Sequence, residues 1–312
     1  MEGHACKTVP SPEDSRDWNA ATIYKKSNLG DTLDLRELLP PVRNQGLQGT
    51  CAAQTAACMK EWQEKKDYNF SGYMSPQFIY NNRENQDSEG MFGRDVMRIL
   101  SKIGSIEDAI YEYGKIEPLS EISDHYYEKA KMHKIKNYAR IYDIDNLKKA
   151  LNINGPCYIA FPVYNMGSRM WYRESPESPM QGGHAMTVVG YTSEGFIIRN
   201  TWGTSWGDKG YCIYSYSDWG SHWEIWTTID EKSYIEDENT DNNPEIIDIE
   251  EDLENKDRNN DNVSDHNSDF EDNDNLEIDT SDNEDSDSIN PDTNNRDIDS
   301  ICKKICKLLR LD

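Results

Sequence analysis

Along most of the chain the apolar positions fall into short runs separated by polar and glycine-bearing stretches. The run CAAQTAACMKEWQEKK, residues 51–66, has no Gly or Pro and is dense in Ala, Gln, Lys and Glu. Those are good helix formers, so the pattern predicts a helix opening at Cys51. Its small alanines let such a helix lie buried, and Thr50 just before it is placed to cap it. Cys157 and Cys212 fall in strand-like runs and are expected in the core, as is Cys58, seven positions after Cys51 on the predicted helix. Residues 1–33, an N-terminal leader with SPEDSRDW, carry no long amphipathic helix and are expected to form a short strap or simply part of the domain. Residues 301–312 place Ile301, Ile305, Leu308 and Leu309 close together on a helical face, with Lys303, Lys304 and Lys307 around it.

Four residues change this outline into chemistry. Cys51 stands in NQGLQGTC, with Gln45 six positions ahead of it; His184 stands in QGGHAM and Asn200 in IIRNTWG. A thiol attacks a carbonyl only as thiolate, so its pKa must be brought below about 8.5. A neighbouring imidazolium does this, and the positive end of a helix starting at the cysteine helps. An asparagine can hold the imidazole in its working tautomer. A glutamine amide together with the cysteine N–H can receive the negative charge that develops on the carbonyl oxygen. Gly46 and Gly49 permit a tight loop between donor and thiol, and Gly182 and Gly183 let a substrate backbone approach His184. Trp202 and Trp206 are placed to shield the His184–Asn200 bond.

The segments carrying these residues resemble the papain family of cysteine peptidases. The separations of 133 residues from Cys51 to His184 and 149 to Asn200 match the family's own spacing of about 130–150. DLRELLPPVRNQG, MSPQFIYNN, NLKKALNINGPCYIAF, GGHAMTVVGY and RNTWGTSWGDKGY follow in the family's order. The resemblance implies an α+β, two-lobed fold over residues 34–230: a helical left domain carrying the cysteine, a β-barrel right domain carrying His and Asn, and the active-site cleft between them. It further implies a thiol endopeptidase in which Cys51, His184, Asn200 and Gln45 are catalytic, acting on peptide or protein substrates without a metal or organic cofactor. Two departures stand out. Gln48 occupies the position where secreted cathepsins have a disulfide-bonded cysteine, and Ala52 replaces the aromatic residue that usually follows the nucleophile. Both resemble an intracellular bacterial and viral branch, and the missing disulfide suits a reducing compartment. The alternatives are a catalytically silent structural or particle component with the same fold, and acyl transfer to an amine in place of water.

Charge divides the chain unevenly. The net charge of the 312 residues is −25, yet residues 231–300 hold 27 acidic and four basic residues, a net of −23. With one Phe and one Tyr in seventy positions, that stretch cannot bury enough apolar surface to order itself and is expected to be disordered. Residues 301–312 carry +3 and residues 1–230 only −5. A basic nucleic-acid footprint is therefore not expected, and residues 301–312 are expected to form a weak docking element for a partner or a membrane surface. No apolar h-region opens the chain and no long apolar run follows, which predicts an intracellular, cytoplasmic protein or one packaged in a virus particle. Seven cysteines form no disulfide framework, and Cys302 and Cys306 lack companions for a zinc site. His4, His125, His133, His222 and His266 are expected at the surface.

Overall fold

The computed structural model describes residues 5–24 and 28–230. The acidic stretch 231–300 and the basic segment 301–312 lie outside the described residues. Five α-helices and seven β-strands form the described part. The helical lobe holds α1 (Cys51–Tyr68), α2 (Pro76–Asn81), α3 (Gly93–Lys102) and α4 (Asp124–Ala130). The strand-rich lobe holds β2 (Asn137–Arg140), α5 (Ile144–Ile153), β3 (Cys157–Val163), β4 (Gly182–Tyr191), β5 (Gly195–Arg199), β6 (Tyr211–Ser215) and β7 (Glu224–Ile229). A two-residue strand β1 (Leu33–Asp34) pairs with β4. The lobe expected as a barrel is built as one antiparallel sheet in the order β2-β7-β3-β4-β5-β6.

Helix α1 is the central beam. It is buried from Cys51 through Glu64, and Ala52, Ala53, Ala56 and Ala57 have no exposed surface. Only small side chains allow α1 to be enclosed by α2 and α3 on one side and by β3 and β4 on the other, and one core joins Ala53, Ala56 and Met59 to Tyr158, Ala160, Ala185 and Trp226. Most long polar side chains of the enclosed turns are given partners, because a buried polar group without one costs free energy, though the Thr55 hydroxyl has none. Gln63 donates to Thr228, Glu61 takes Arg43 and the Met74 N–H, and Lys60 lies between Glu64 and Asp230. The helix ends at Asn69, whose left-handed backbone (φ 57°) turns its N–H back onto the Glu64 and Lys65 carbonyls. The expected cap at its other end does not form. Thr50 makes no capping bond, because its hydroxyl is 2.8 Å from that of Tyr113.

Helix α2 has the cap that α1 lacks, Ser75 accepting from the Phe78 N–H with Pro76 opening the helix. Strand β4 is buried along nearly its whole length on both faces. That explains its unbroken run of small and apolar residues where a half-exposed strand would alternate. His184 sits near its start, opposite Phe161 of β3, and α1 lies against it.

Candidate active site

The four residues singled out by sequence come from four places. Gln45 lies on the loop before α1, Cys51 is the first residue of α1, His184 is on β4 and Asn200 follows β5. All four are buried: Cys51 and His184 fully, Asn200 and Gln45 to 1% and 2% exposure. The sequence separation between thiol and imidazole is closed by the packing of α1 on β4.

Asn200 sets the imidazole. Its Oδ1 is 2.7 Å from His184 Nε2 and accepts the Thr201 N–H at 2.7 Å. The backbone donor identifies that atom as the oxygen, so Nε2 carries a proton and donates it to Asn200. The Nδ1 of a neutral imidazole is then the base. It is buried with no hydrogen-bond partner, though it lies near enough to influence the thiol. The Trp202 ring covers His184 at 4.4 Å between centroids, and Trp206 meets Trp202 edge-on at 5.8 Å. This is the shielding expected of the two tryptophans.

Burial alone would push the Cys51 thiol up. His184, the Thr8 hydroxyl and the Ala185 backbone N–H together outweigh that effect and bring the pKa down from 9.0 to about 7. Cys157 has only the Thr227 hydroxyl to oppose its burial and Cys212 has no such neighbour, so burial pushes both up to about 12. They are core thiols, as expected, and all five described cysteines are unpaired.

Gln45 is aimed from both ends. Its N–H donates to the Thr201 carbonyl at 2.8 Å, its Oε1 accepts the Thr201 hydroxyl at 2.5 Å and its carbonyl accepts the Tyr113 hydroxyl at 2.7 Å. The amide Nε2 is thereby turned inward, where it donates to the carbonyls of Gln48 (3.0 Å) and Ala5 (3.2 Å). Gly46, at φ +63°, supplies the turn between Gln45 and Gln48.

Ala5 belongs to the stretch expected as a short strap or part of the domain; what sequence reasoning missed is that this stretch reaches the thiol and Gln45. Residues 5–9 run through the cleft as a strap. Cys6 and Thr8 are buried, the Thr8 N–H donates to Gly183 at 3.1 Å and the Val9 N–H to Met91 at 3.4 Å. The Thr8 hydroxyl and the Cys51 sulfur share a hydrogen bond of 2.9 Å. Glycines line both walls against this strap. A Cβ at Gly182 would strike the Cys6 carbonyl, one at Gly183 the Thr8 carbonyl, and one at Gly90 the Lys7 carbonyl. The close backbone approach expected at Gly182 and Gly183 is therefore made by the chain's own residues. Nothing local in residues 5–9 signals this, since their partners lie about 40 to 180 positions away.

Two surface assignments need correction. His133 Nδ1 lies 3.0 Å from Glu64 beneath α1, and His222 pairs with the Tyr214 hydroxyl at 2.9 Å. Burial, aided by Arg140, pulls His222 down to about 4. His125 is exposed as expected, whereas His4 and His266 lie outside the described residues. Among the described residues no three His, Cys, Asp or Glu side chains are grouped as a metal ion would require. No helix there is long and apolar enough to cross a membrane.

The profile of the papain family cysteine proteases matches residues 29–229. The chain belongs to the papain family. Among curated relatives, mouse cathepsin K is 32% identical over 221 residues, 64% of each chain. An uncharacterized peptidase C1-like protein of Acanthamoeba polyphaga mimivirus is 30% identical over 192 residues, 54% of this chain and 62% of the relative. The chain thus spans somewhat under two-thirds of the length of these two relatives. Xylellain, a cysteine protease from Xylella fastidiosa, superposes with a TM-score of 0.62 at 27% identity, covering 72% of this chain and 96% of that one. The papain-like architecture of a helical and a strand-rich lobe follows from these matches.

Proposed function

We propose that this papain-family chain is a thiol endopeptidase. His184 Nδ1 takes the Cys51 thiol proton as the sulfur attacks the scissile carbonyl carbon, and the carbonyl oxygen becomes an oxyanion received by Gln45 Nε2 and the Cys51 N–H. The C–N bond breaks as His184 gives its proton to the leaving amine, leaving an acyl-enzyme on the sulfur. His184 then takes a proton from water, whose oxygen displaces the sulfur and regenerates the thiol. Asn200 keeps the imidazole in the tautomer that allows both transfers. The observation that carries this reading is the thiol lowered to about 7 beside an imidazole whose far nitrogen is held at 2.7 Å by Asn200. Substrates are peptides or unfolded protein segments lying extended across the cleft.

The reading includes a closed state. In the described conformation the oxyanion donor serves the Ala5 carbonyl while the sulfur serves the Thr8 hydroxyl, three residues on. No single carbonyl group engages both, so the strap is an occupant and not a substrate, and it must leave before peptides are cut. Residues 301–312 fall outside this reading. Their docking role is tested by co-sedimentation of the full chain with anionic vesicles.

The test is a thiol-directed epoxide with mapping of the adduct, paired with cleavage of a peptide library. Adduct on Cys51 alone, and cleavage abolished by Cys51→Ala, are the expected results. Adduct elsewhere with cleavage intact overturns the assignment. Amine-capped products in place of free carboxylates would turn the reading to acyl transfer.

A further inference from the structure

The strap reports on the walls it touches, and one contact is not accounted for by closing the cleft. Lys7 lies between the two lobes. Its backbone pairs in parallel with Gly183 and presses on Gly90, and its Cβ faces Gly49 at the distance where a side chain there would crowd it. From this slot its side chain reaches the helical wall, where Nζ meets the Glu89 carboxylate at 2.9 Å.

The backbone of Glu89 is held in place by its surroundings. The carbonyl of Glu89 accepts the Tyr80 hydroxyl at 2.9 Å and lies so close to Gly49 that a side chain at that glycine would collide with it. The loop before it is tied down by side chains bonding to backbone. Asn85 donates to the Gly90 carbonyl, and Arg83 donates to the carbonyls of Ser88, Tyr80 and Gln86 while stacked 4.0 Å over the Tyr80 ring. Arg83 is thus occupied with carbonyls and aromatic surface, and Lys7 is the cation on the Glu89 carboxylate. The same wall opens into a cavity of about 640 Å³ whose lining includes Gln48, Gly49, Glu89 and Ile116.

Resting on the peptidase reading, we propose that Glu89 is a specificity residue: it selects substrates with a Lys or Arg side chain at the position that enters between Gly49 and Gly90. When the strap withdraws, Lys7 goes with it and leaves a backbone-wide slot ending in a carboxylate carried on a held backbone. A peptide lying in the same slot restores the ion pair only with a basic side chain. A norleucine of similar length fills the slot without satisfying the carboxylate, and a glutamate repels it. The pair is exposed on both sides, 50% and 71%, so the discrimination is modest, about two- to fivefold for Lys over norleucine.

The experiment uses the full chain and peptidyl vinyl sulfones that capture Cys51 irreversibly, so labelling accumulates even if the strap opens rarely. Probes differ only in carrying Lys, Arg, norleucine or Glu at one position, scanned in turn. Lys-to-norleucine rate ratios within one variant cancel the strap's opening equilibrium. One position is expected to favour Lys and Arg. Glu89→Gln brings its ratio to about one, Glu89→Asp retains part of it, and Glu89→Lys reverses it in favour of Glu. A Lys preference unchanged in Glu89→Gln, or no preference at any position while Cys51 is still labelled, overturns the proposal alone. Failure of every probe to label Cys51 overturns the peptidase reading beneath it.

Discussion

The catalytic frame and the strap that covers it occupy the same few ångströms but are held in different ways. Gln45, His184 and Asn200 are buried and tied to one another or to Thr201 by bonds of 2.5–2.8 Å. The strap has two of its own side chains in exchangeable contacts, an exposed ion pair from Lys7 and a hydroxyl on a sulfur from Thr8. Apart from the buried Cys6 side chain, its remaining hydrogen bonds are backbone bonds that any extended peptide would make. The difference teaches which half is built to move. Replacing the strap with a substrate leaves each buried bond of the frame intact.

The sharpest way to break the comparison is to remove the frame's nucleophile. Cys51→Ala should lower peptide cleavage by at least about 10³-fold with an unchanged melting temperature, measured by peptide turnover and calorimetry. Residual turnover within about tenfold of the parent would reject the assignment. Gln45→Ala should lower kcat by roughly 10²-fold with a smaller change in KM; an effect confined to KM would return Gln45 to a loop role.

Gly90→Ala separates the two halves by sign. The added methyl collides with Lys7 and Thr8 of the strap. Alkylation of Cys51 by iodoacetamide should therefore speed up about tenfold, while peptide cleavage falls because a substrate backbone needs the same space. Both rates falling together would show that Gly90 supports the frame. The pH dependence sharpens the frame itself. Because the Cys51 pKa is lowered to about 7, the thiolate is present above that value and is lost as the pH falls through it. The alkylation rate should rise with a midpoint near 7. In His184→Ala burial acts with less opposition, so the midpoint should move upward. The smallest effect belongs to the strap's ion pair. Lys7→Glu should raise the alkylation rate about two- to fivefold, and the swap Lys7→Glu with Glu89→Lys should restore the slow rate.

What could be read from the sequence follows the same division. Helix α1 from Cys51 was legible because composition is a local property, whereas the segments of α2, of α5 with β3 and of the strand around His184 were placed only by the family resemblance. The convergence of Cys51, Gln45, His184 and Asn200 was legible only through the family resemblance, since no periodicity brings residues 45 and 200 together. Thr8, Glu89, Tyr113 and Thr201 were invisible. Each is an ordinary polar residue whose role depends on what the fold places opposite it. The Thr50 cap failed for that reason, a tyrosine 63 positions away having taken its hydroxyl. His133 and His222 were read as surface residues because a lone histidine carries no mark of the Glu64 or Tyr214 that awaits it.

Thr201 has a further consequence. Its carbonyl and hydroxyl hold Gln45, and its N–H holds the Asn200 oxygen that orients His184. One residue therefore serves as the common datum for the group that receives the negative charge and the group that moves the proton. If the lobes breathe, both aims drift by the same vector, and their alignment with each other is preserved. A protein assembled this way tolerates slack in the cleft as a whole far better than slack at a single residue after β5.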